Sequence, residues 1–537
     1  MNATHALWLL AVPVVAVGVA TAARRAGMPS PLALVAAGLV MALPPGIPEF
    51  ALDPEFVLFA FLPPLLFSAA WESSLPNLRD SGRAIGYLAV GLVLFTTVTV
   101  GYAVYLIVPA MPLPAAFVLG AIVAPPDAVA AVSVAKRLGL PRRVVTVLVG
   151  ESLFNDATAL TAFRVAVAAT AGEGFTLLSG GWEFLYAALG GAAIGLAAGP
   201  PLQWLRTRLR DPVAENAVAV LAPFAAYLVA EAVHASGVIA VVVSGLYLGH
   251  RFARSPASTR VIGQAFWKVT IFILESVVFL LIGLQLPAVM AGLSERSPFS
   301  LLWWAATVFG VVVATRFLWV FATARAPHLP LLRRRAAGGR PRRPMWREMT
   351  VVSWAGMRGV VSLAAAFAIP TNTAGGAPFP ERHLILFLTF TTVLGTLLLQ
   401  GMTFPALIRR LGVNDEDERR TDAVSEAEAQ HIAANAALRR LEALVEQERD
   451  RLDERVVRQL RDLVEHRRLS AWERLGGAAG PDGAEVPTGA YRRLRREMLA
   501  AEREAFVRMR DERRIDDEVL ERVLTELDLE ELALSRR

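Results

Sequence analysis

Few side chains in the first 410 residues can do ionic chemistry, because most of that stretch is apolar. Ionisable groups inside long apolar runs are costly there and are functional candidates for that reason. Among them are Asp127, Glu151, Asp156, Arg164, Glu275, Arg316 and Arg358. In GESLFNDATAL, residues 150–160, Ser152 and Asp156 stand four apart and share one face of a helix. Glu151 and Asn155 do the same on the neighbouring face. A hydroxyl stacked on a carboxylate suits a hard cation, which takes oxygen ligands. A buried carboxylate can also hold a proton, so proton and metal ion can compete for Asp156. Glu151 needs a cationic partner, and Arg358 is the obvious one.

The elements that must position these groups are membrane helices. Crossing the hydrocarbon takes roughly 20 apolar residues, and thirteen runs qualify: 6–23, 30–45, 54–71, 84–108, 113–135, 143–170, 180–204, 213–233, 237–250, 264–288, 299–322, 347–369 and 383–408. The loops check the count, since Lys and Arg collect on the cytoplasmic side. Alternate loops carry Arg24 and Arg25; Arg79 and Arg83; Lys136, Arg137, Arg142 and Arg143; Arg206, Arg208 and Arg210; Arg251, Arg254 and Arg260; and the arginines between Arg325 and Arg347. The opposite loops carry only Arg296 and Arg382. This alternation places the N-terminus outside and everything beyond Arg410 in the cytoplasm. No Lys or Arg precedes the first run, so it reads as a retained helix and not as a secretory signal.

Depth follows from a rise of about 1.5 Å per residue. Asp156 then lies about 20 Å from the inner end of its run, Asp127 about 21 Å from the outer end of its own, and Arg358 about 17 Å in. Two carboxylates and a guanidinium share the middle of the bilayer. The fifth run is interrupted at APPDAVAA, residues 124–131, where Pro125 and Pro126 remove backbone donors and free carbonyls near Gly120 to Ile122. Asp127 would open the second half-helix, where the dipole favours an anion. The twelfth run has a matching weak point at AGMRGVVS, residues 355–362, with glycines on both sides of Arg358. Two interrupted helices of opposite direction in corresponding halves point to an inverted repeat with an ion site at the midplane.

Composition narrows the classes further. The charge of +6 over 537 residues is uneven: the apolar part is basic and the rest is acidic, so the overall basicity implies no nucleic-acid partner. Only Lys136 and Lys268 are lysines, an arginine bias compatible with a GC-rich bacterial genome. Absence of cysteine excludes disulfides and thiolate chemistry. No GxxxxGK phosphate loop or HExxH zinc motif occurs. No TVGYG-type filter occurs either, which disfavours a cation channel. A hydrolase using Ser152 would need a base in reach, and His234 and His250 lie near helix ends. Arg164, Arg316 and Glu275 read as fold-supporting residues. Gly191, Gly195 and Gly199 permit close helix packing, within the chain or at a dimer contact. Beyond Arg410, AALRRLEALVEQERDRLDERVVRQLRDLVEH is amphipathic helix, and GGAAGPDGAEVPTG separates it from a second helical region starting near Tyr491.

The segments FLPPLLFSAAWE (61–72), APPDAVAA, GESLFNDATALTAF, FLLIGLQL (279–286) and GMRGVVSLAAA (356–366) resemble the sodium/proton exchanger branch of the cation–proton antiporters, in particular bacterial members with long cytoplasmic tails. The match spans the membrane part in the expected order. The resemblance implies an all-α membrane fold, an exchange domain over residues 1–410 and a charged helical tail over 411–537. It implies exchange of Na+ (or Li+) for H+ in pH homeostasis, with K+/H+ exchange as the competing reading. It implies an Asn–Asp pair, here Asn155 and Asp156, with Asp156 on the ion and Ser152 a ligand. Asp127 matches the acid of the broken helix, and Arg358 with Glu151 matches a buried ion pair. Many members have threonine before and proline after that acid. Here Pro126 and Ala128 stand instead, which leaves the Pro126 carbonyl to serve. Asn before Asp implies one-for-one, electroneutral exchange. No cofactor is implied beyond the transported Na+ and H+. The partners implied are membrane lipid and a second copy of the chain, in a bacterial inner membrane.

Overall fold

The computed structural model describes residues 3–43, 54–127, 131–132, 134–135, 138–170, 177–325, 346–373, 375–413, 416–447, 453–475 and 487–535. Among these no strand occurs; the one β-type contact is an isolated bridge between Asn372 and Pro378. The chain divides into two units, Met1–Asn414 and Asp415–Arg537.

The first unit is built of α1 (Ala3–Arg25), α2 (Ser30–Met41), α3 (Pro54–Trp71), α4 (Gly82–Ile107), α5 (Leu113–Val123), α6 (Arg142–Thr170) and α7 (Leu177–Leu209). It continues with α8 (Pro212–Ala232), α9 (Gly237–Phe252), α10 (Ala257–Ala291), α11 (Pro298–Arg325), α12 (Trp346–Trp354), α13 (Val360–Phe367) and α14 (Arg382–Leu411). Six described helices are long and apolar enough to cross a membrane: Gly82–Ile107, Gly181–Leu209, Pro212–Ala232, Ala257–Ala291, Pro298–Ala324 and Arg382–Leu411. Four apolar helices are shorter: Ser30–Met41, Phe59–Trp71, Leu113–Val123 and Gly237–Phe252. The 29-residue α6 is not among the six, and the reason is chemical. Its apolar sequence is broken by Glu151, Asn155, Asp156 and Arg164. Leu106 and Phe299 are each 78% exposed and Trp182 is 68% exposed, a surface suited to lipid and not to water. The chain is a multi-pass membrane protein.

Lipid gives helices little hydrophobic reason to associate, so backbone approach decides the packing. Gly38 of α2 and Gly283 of α10 face each other so closely that a Cβ on either would overlap a backbone carbonyl of the other helix. Gly191, Gly195 and Gly199 of α7 lie against Ser236, Ala240 and Tyr247, so that glycine series serves packing on α9 within the chain. Helix starts carry real caps where loops are short. Asp211 accepts from Val213 N (3.2 Å) and Ala214 N (3.1 Å) at α8, and Ser236 accepts from Ile239 N (3.3 Å) at α9. The two arginines that broke the loop alternation have local work. Arg296 pairs with Glu381 at 2.6 Å, and Arg382 Nε donates to Ile369 O at 3.0 Å.

The second unit has α15 (Glu416–Gln447) packed on α16 (Glu454–Leu475), and α17 (Pro487–Asp511) packed on α18 (Asp517–Ser535). The long amphipathic stretch read as one helix thus falls on two, with residues 448–452 outside the described residues. The second helical region is described from Pro487 on, with residues 476–486 outside the described residues. Arg495 bridges Glu530 (2.7 Å) and Glu502 (2.9 Å), and Arg503 bridges Asp528 (2.7 Å) and Glu531 (2.6 Å). The Arg495 hydrogen bond holds the Glu530 carboxyl below its ordinary value.

Candidate functional site

Two helices stop inside the membrane unit, and the site is where they stop. α5 ends at Val123, and the chain runs non-helically from Ala124 to Asp127. Residues 128–130, where Ala128 stands and the second half-helix should begin, lie outside the described residues; helix is present at 131–132 and 134–135. α12 ends at Trp354 and α13 starts at Val360, leaving Ala355 to Gly359 non-helical around Arg358. The two breaks touch through backbone: Asp127 N donates to Met357 O at 2.6 Å. Contact is so close that a Cβ on Gly359 would overlap the Asp127 carboxylate. This is the physical reason for glycine there.

A helix that stops inside a membrane leaves carbonyls without donors and a partial negative charge at its end. Here a guanidinium meets each such end. Arg358 caps α5: its Nε donates to Val123 O at 2.9 Å and Nη2 to Ala124 O at 3.3 Å. Its Nη1 also reaches Gly356 O, and its backbone N donates to Thr396 Oγ1 at 3.0 Å. Arg316 caps α12, with Nε and Nη2 donating to Val352 O at 3.1 and 3.0 Å. Pro125 and Pro126 have no N–H to return to the last turn of α5, so carbonyls near Gly120 to Ile122 lack that bond, while those of Val123 and Ala124 are met by Arg358.

This arrangement corrects the ion pair. Glu151 is paired with Arg316, not Arg358: Arg316 Nη2 donates to Glu151 Oε2 at 2.8 Å, and Nη1 donates to Oε1. Both side chains are 1% exposed. Arg358 has its donors committed to backbone, whereas Arg316 presents a planar fork to the carboxylate. Arg316, read from the sequence as fold support, is thus joined to the site through Glu151. Arg164, read from the sequence as fold support, joins α6 to α8: its Nη2 lies 2.9 and 3.0 Å from the two oxygens of Glu231.

On α6, Asn155 and Asp156 are both buried. Asn155 Nδ2 donates to Pro126 O at 2.7 Å, which ties α6 to the break in front of Asp127. Asn155 Oδ1 has no hydrogen-bond partner among the described residues. Asp156 and Asp127 lie close enough for their charges to interact. Ser152 stands one turn before Asp156, half-buried. The structure therefore brings together Asp127, Pro126, Asn155, Asp156 and Ser152, with Arg358, Arg316 and Glu151 around them. Glu275 of α10 also lies within electrostatic reach of Asp127 and of Arg24. Its isolation in an apolar run was the only sign of it in the sequence. Among the described residues no group of three or more His, Cys, Asp or Glu side chains could hold a metal ion.

Two helix interruptions in contact, with buried acids beside them, suit an ion site within a membrane protein. The transmembrane model of the sodium/hydrogen exchanger family matches residues 12–410, and the chain belongs to that family. It is therefore a cation/proton antiporter by family. It is 36% identical over 523 residues to an uncharacterized Na+/H+ exchanger of Mycobacterium tuberculosis, covering 94% of this chain and 91% of the relative. It is 32% identical over 391 residues to a sodium, potassium, lithium and rubidium/H+ antiporter of Bacillus pumilus, covering 71% of this chain and 58% of that one. The sodium proton antiporter MjNhaP1 of Methanocaldococcus jannaschii has the same fold, with a TM-score of 0.57 at 18% identity over 75% of this chain and 97% of its own.

Proposed function

We propose that this chain exchanges Na+ (or Li+) for H+ across a bacterial inner membrane, electroneutrally and by alternating access. The observation that supports this best is the junction of the two interrupted helices at Asp127 and Met357, with Asn155 holding Pro126 beside it. Asp156 alternately holds a proton and the cation. Ser152 and Asp127 supply further oxygens, and the Pro126 carbonyl keeps a lone pair beyond the one that accepts from Asn155. The free Asn155 Oδ1 is a further neutral acceptor. Glu151 and Arg358 support the site, with Arg316 between the first of these and α12. One-for-one exchange is what the resemblance to the family implies for an Asn before the Asp.

Thirteen membrane segments in an inverted repeat accommodate these elements, with α12 and α13 as two halves of one segment. α4–α6 and α11–α14 would move as the ion-carrying core against α1–α3 and α7–α10, the scaffold and dimer contact. Residues 1–410 form the exchange domain, the N-terminus lies outside, and 411–537 form a cytoplasmic tail. K+/H+ exchange is the second reading, favoured by the name of the Bacillus pumilus relative, which includes potassium.

The test is proton flux in proteoliposomes on adding Na+, Li+ or K+, for the wild type and Asp156→Asn. Na+-driven proton movement that the variant lacks is the expected result. No cation response from correctly folded wild type, or an unimpaired variant, would sink the reading. The relative K+ response ranks the two cations.

A further inference from the structure

A cavity of about 330 Å³ lies beside α6, away from the helix interruptions. Its lining includes Leu160, Thr161 and Arg164 of α6, Glu183 of α7, Glu231 of α8 and His234 of the following turn. Three features separate it from an ordinary packing gap. First, Leu160 stands four residues after Asp156, so the floor of the cavity covers the same helical face as that carboxylate, one turn along. Second, the wall is charged, with two carboxylates against one guanidinium. Third, the Arg164–Glu231 bridge crosses from α6 to α8, between the proposed core and the proposed scaffold.

The bridge borders the cavity with its side chains 54% and 29% exposed, so an ion entering the cavity meets both charges. Glu231 does not depend on Arg164 for its position, because Gly237 N at the start of α9 donates to Glu231 Oε1 at 3.4 Å. The turn beneath it is fixed to α7 by Tyr186 Oη donating to Val233 O at 2.9 Å and by Ser236 N donating to Ala187 O at 3.0 Å. Glu231 is thus a preformed oxygen ligand, with Arg164 as a tethered cation on it.

We propose that this cavity is the outer access site for the transported cation, and that Glu231 receives the ion in exchange for Arg164. This rests on the exchange reading above and on its assignment of this end of α6 to the outside. A monovalent cation arriving from outside meets a net negative wall, displaces the guanidinium from Glu231, and stands about 12 Å along α6 from Asp156. Release of Arg164 also frees α6 from α8, so binding and core movement are joined at one contact.

Vesicles of known orientation test this, with half-saturating Na+ for proton flux measured separately from each face. Glu231→Gln should raise the outer half-saturating Na+ several-fold, and Arg164→Gln should lower it, each by a clearly larger factor than any change in the inner value. Glu231→Asp should restore most of the outer affinity. Equal changes on both faces, or none on either, would overturn the proposal. The sequence contains no cysteine, so Thr161→Cys gives a single thiol that reads the cavity without transport. An impermeant maleimide should label it from the outer face, and outer Na+ should slow the labelling. Labelling only from the cytoplasmic face, or none, overturns the assignment. The wild-type inner-face flux in the same vesicles tests the exchange reading by itself, so the two failures are distinguishable.

Discussion

Glu151 and Arg316 show what a single buried contact decides. Each is 1% exposed, so neither can fall back on water if the other is removed. Loss of one partner of a buried pair leaves an uncompensated charge and costs about 3–5 kcal/mol. Glu151→Ala should therefore strongly lower the thermal unfolding temperature of the detergent-solubilised protein. The double variant Glu151→Ala/Arg316→Met should recover part of the loss, because no charge remains buried. Additive losses in the double variant would show that the two residues are not a pair. Arg358 differs, since its partners are carbonyls. Arg358→Lys keeps the charge but cannot span Val123 O, Ala124 O and Gly356 O with one planar fork. Each buried carbonyl left unpaired costs about 1–3 kcal/mol. That variant should be measurably less stable in the same assay, despite its conserved charge.

At the scale of elements, the two interruptions hold each other. α5 is capped by a side chain from the break after α12, and α12 is capped by Arg316 of α11, so neither half-helix end is stable alone. Gly359 is the point of closest approach, where a Cβ would overlap the Asp127 carboxylate. Gly359→Ala should abolish cation-driven proton flux while leaving membrane insertion intact. Gly310 of α11 is the control: a Cβ there meets nothing within 4 Å, so Gly310→Ala should transport normally. Equal activity of the two variants would show that the breaks do not meet at Asp127.

At the scale of the whole molecule, the two units answer to different physics. The membrane unit is held by backbone approach and buried polar caps, and salt has little access to either. The α17–α18 pair buries Leu499, Leu520 and Leu527 and adds exposed charge pairs, which salt screens. Glu530, bonded by Arg495, has its carboxyl below the ordinary value. A group depressed in the folded state stabilises fully above the unfolded value of about 4.3, and that stabilisation is lost as pH falls through the folded value. Hydrogen exchange on the full chain should therefore show α17–α18 protected from pH 7 to 5 and loosening below about pH 4. High salt should shift the loosening upward in pH. Protection unchanged down to pH 3 would mean that apolar contacts alone hold the pair.

The sequence by itself determined the membrane class, the apolar runs, the positions of both interruptions and the residues around Asp156. These are local properties: apolar length, proline and glycine placement, and four-residue spacing on one helix. Partner choice was not local. Glu151 lies 165 residues from Arg316 in sequence, and Arg164 lies 67 residues from Glu231. Nothing in spacing ranks Arg316 above Arg358 as the partner of Glu151. Only the tertiary structure decided it, because Arg358 is spent on the carbonyls that the end of α5 leaves bare, and which carbonyls those are depends on where α5 stops.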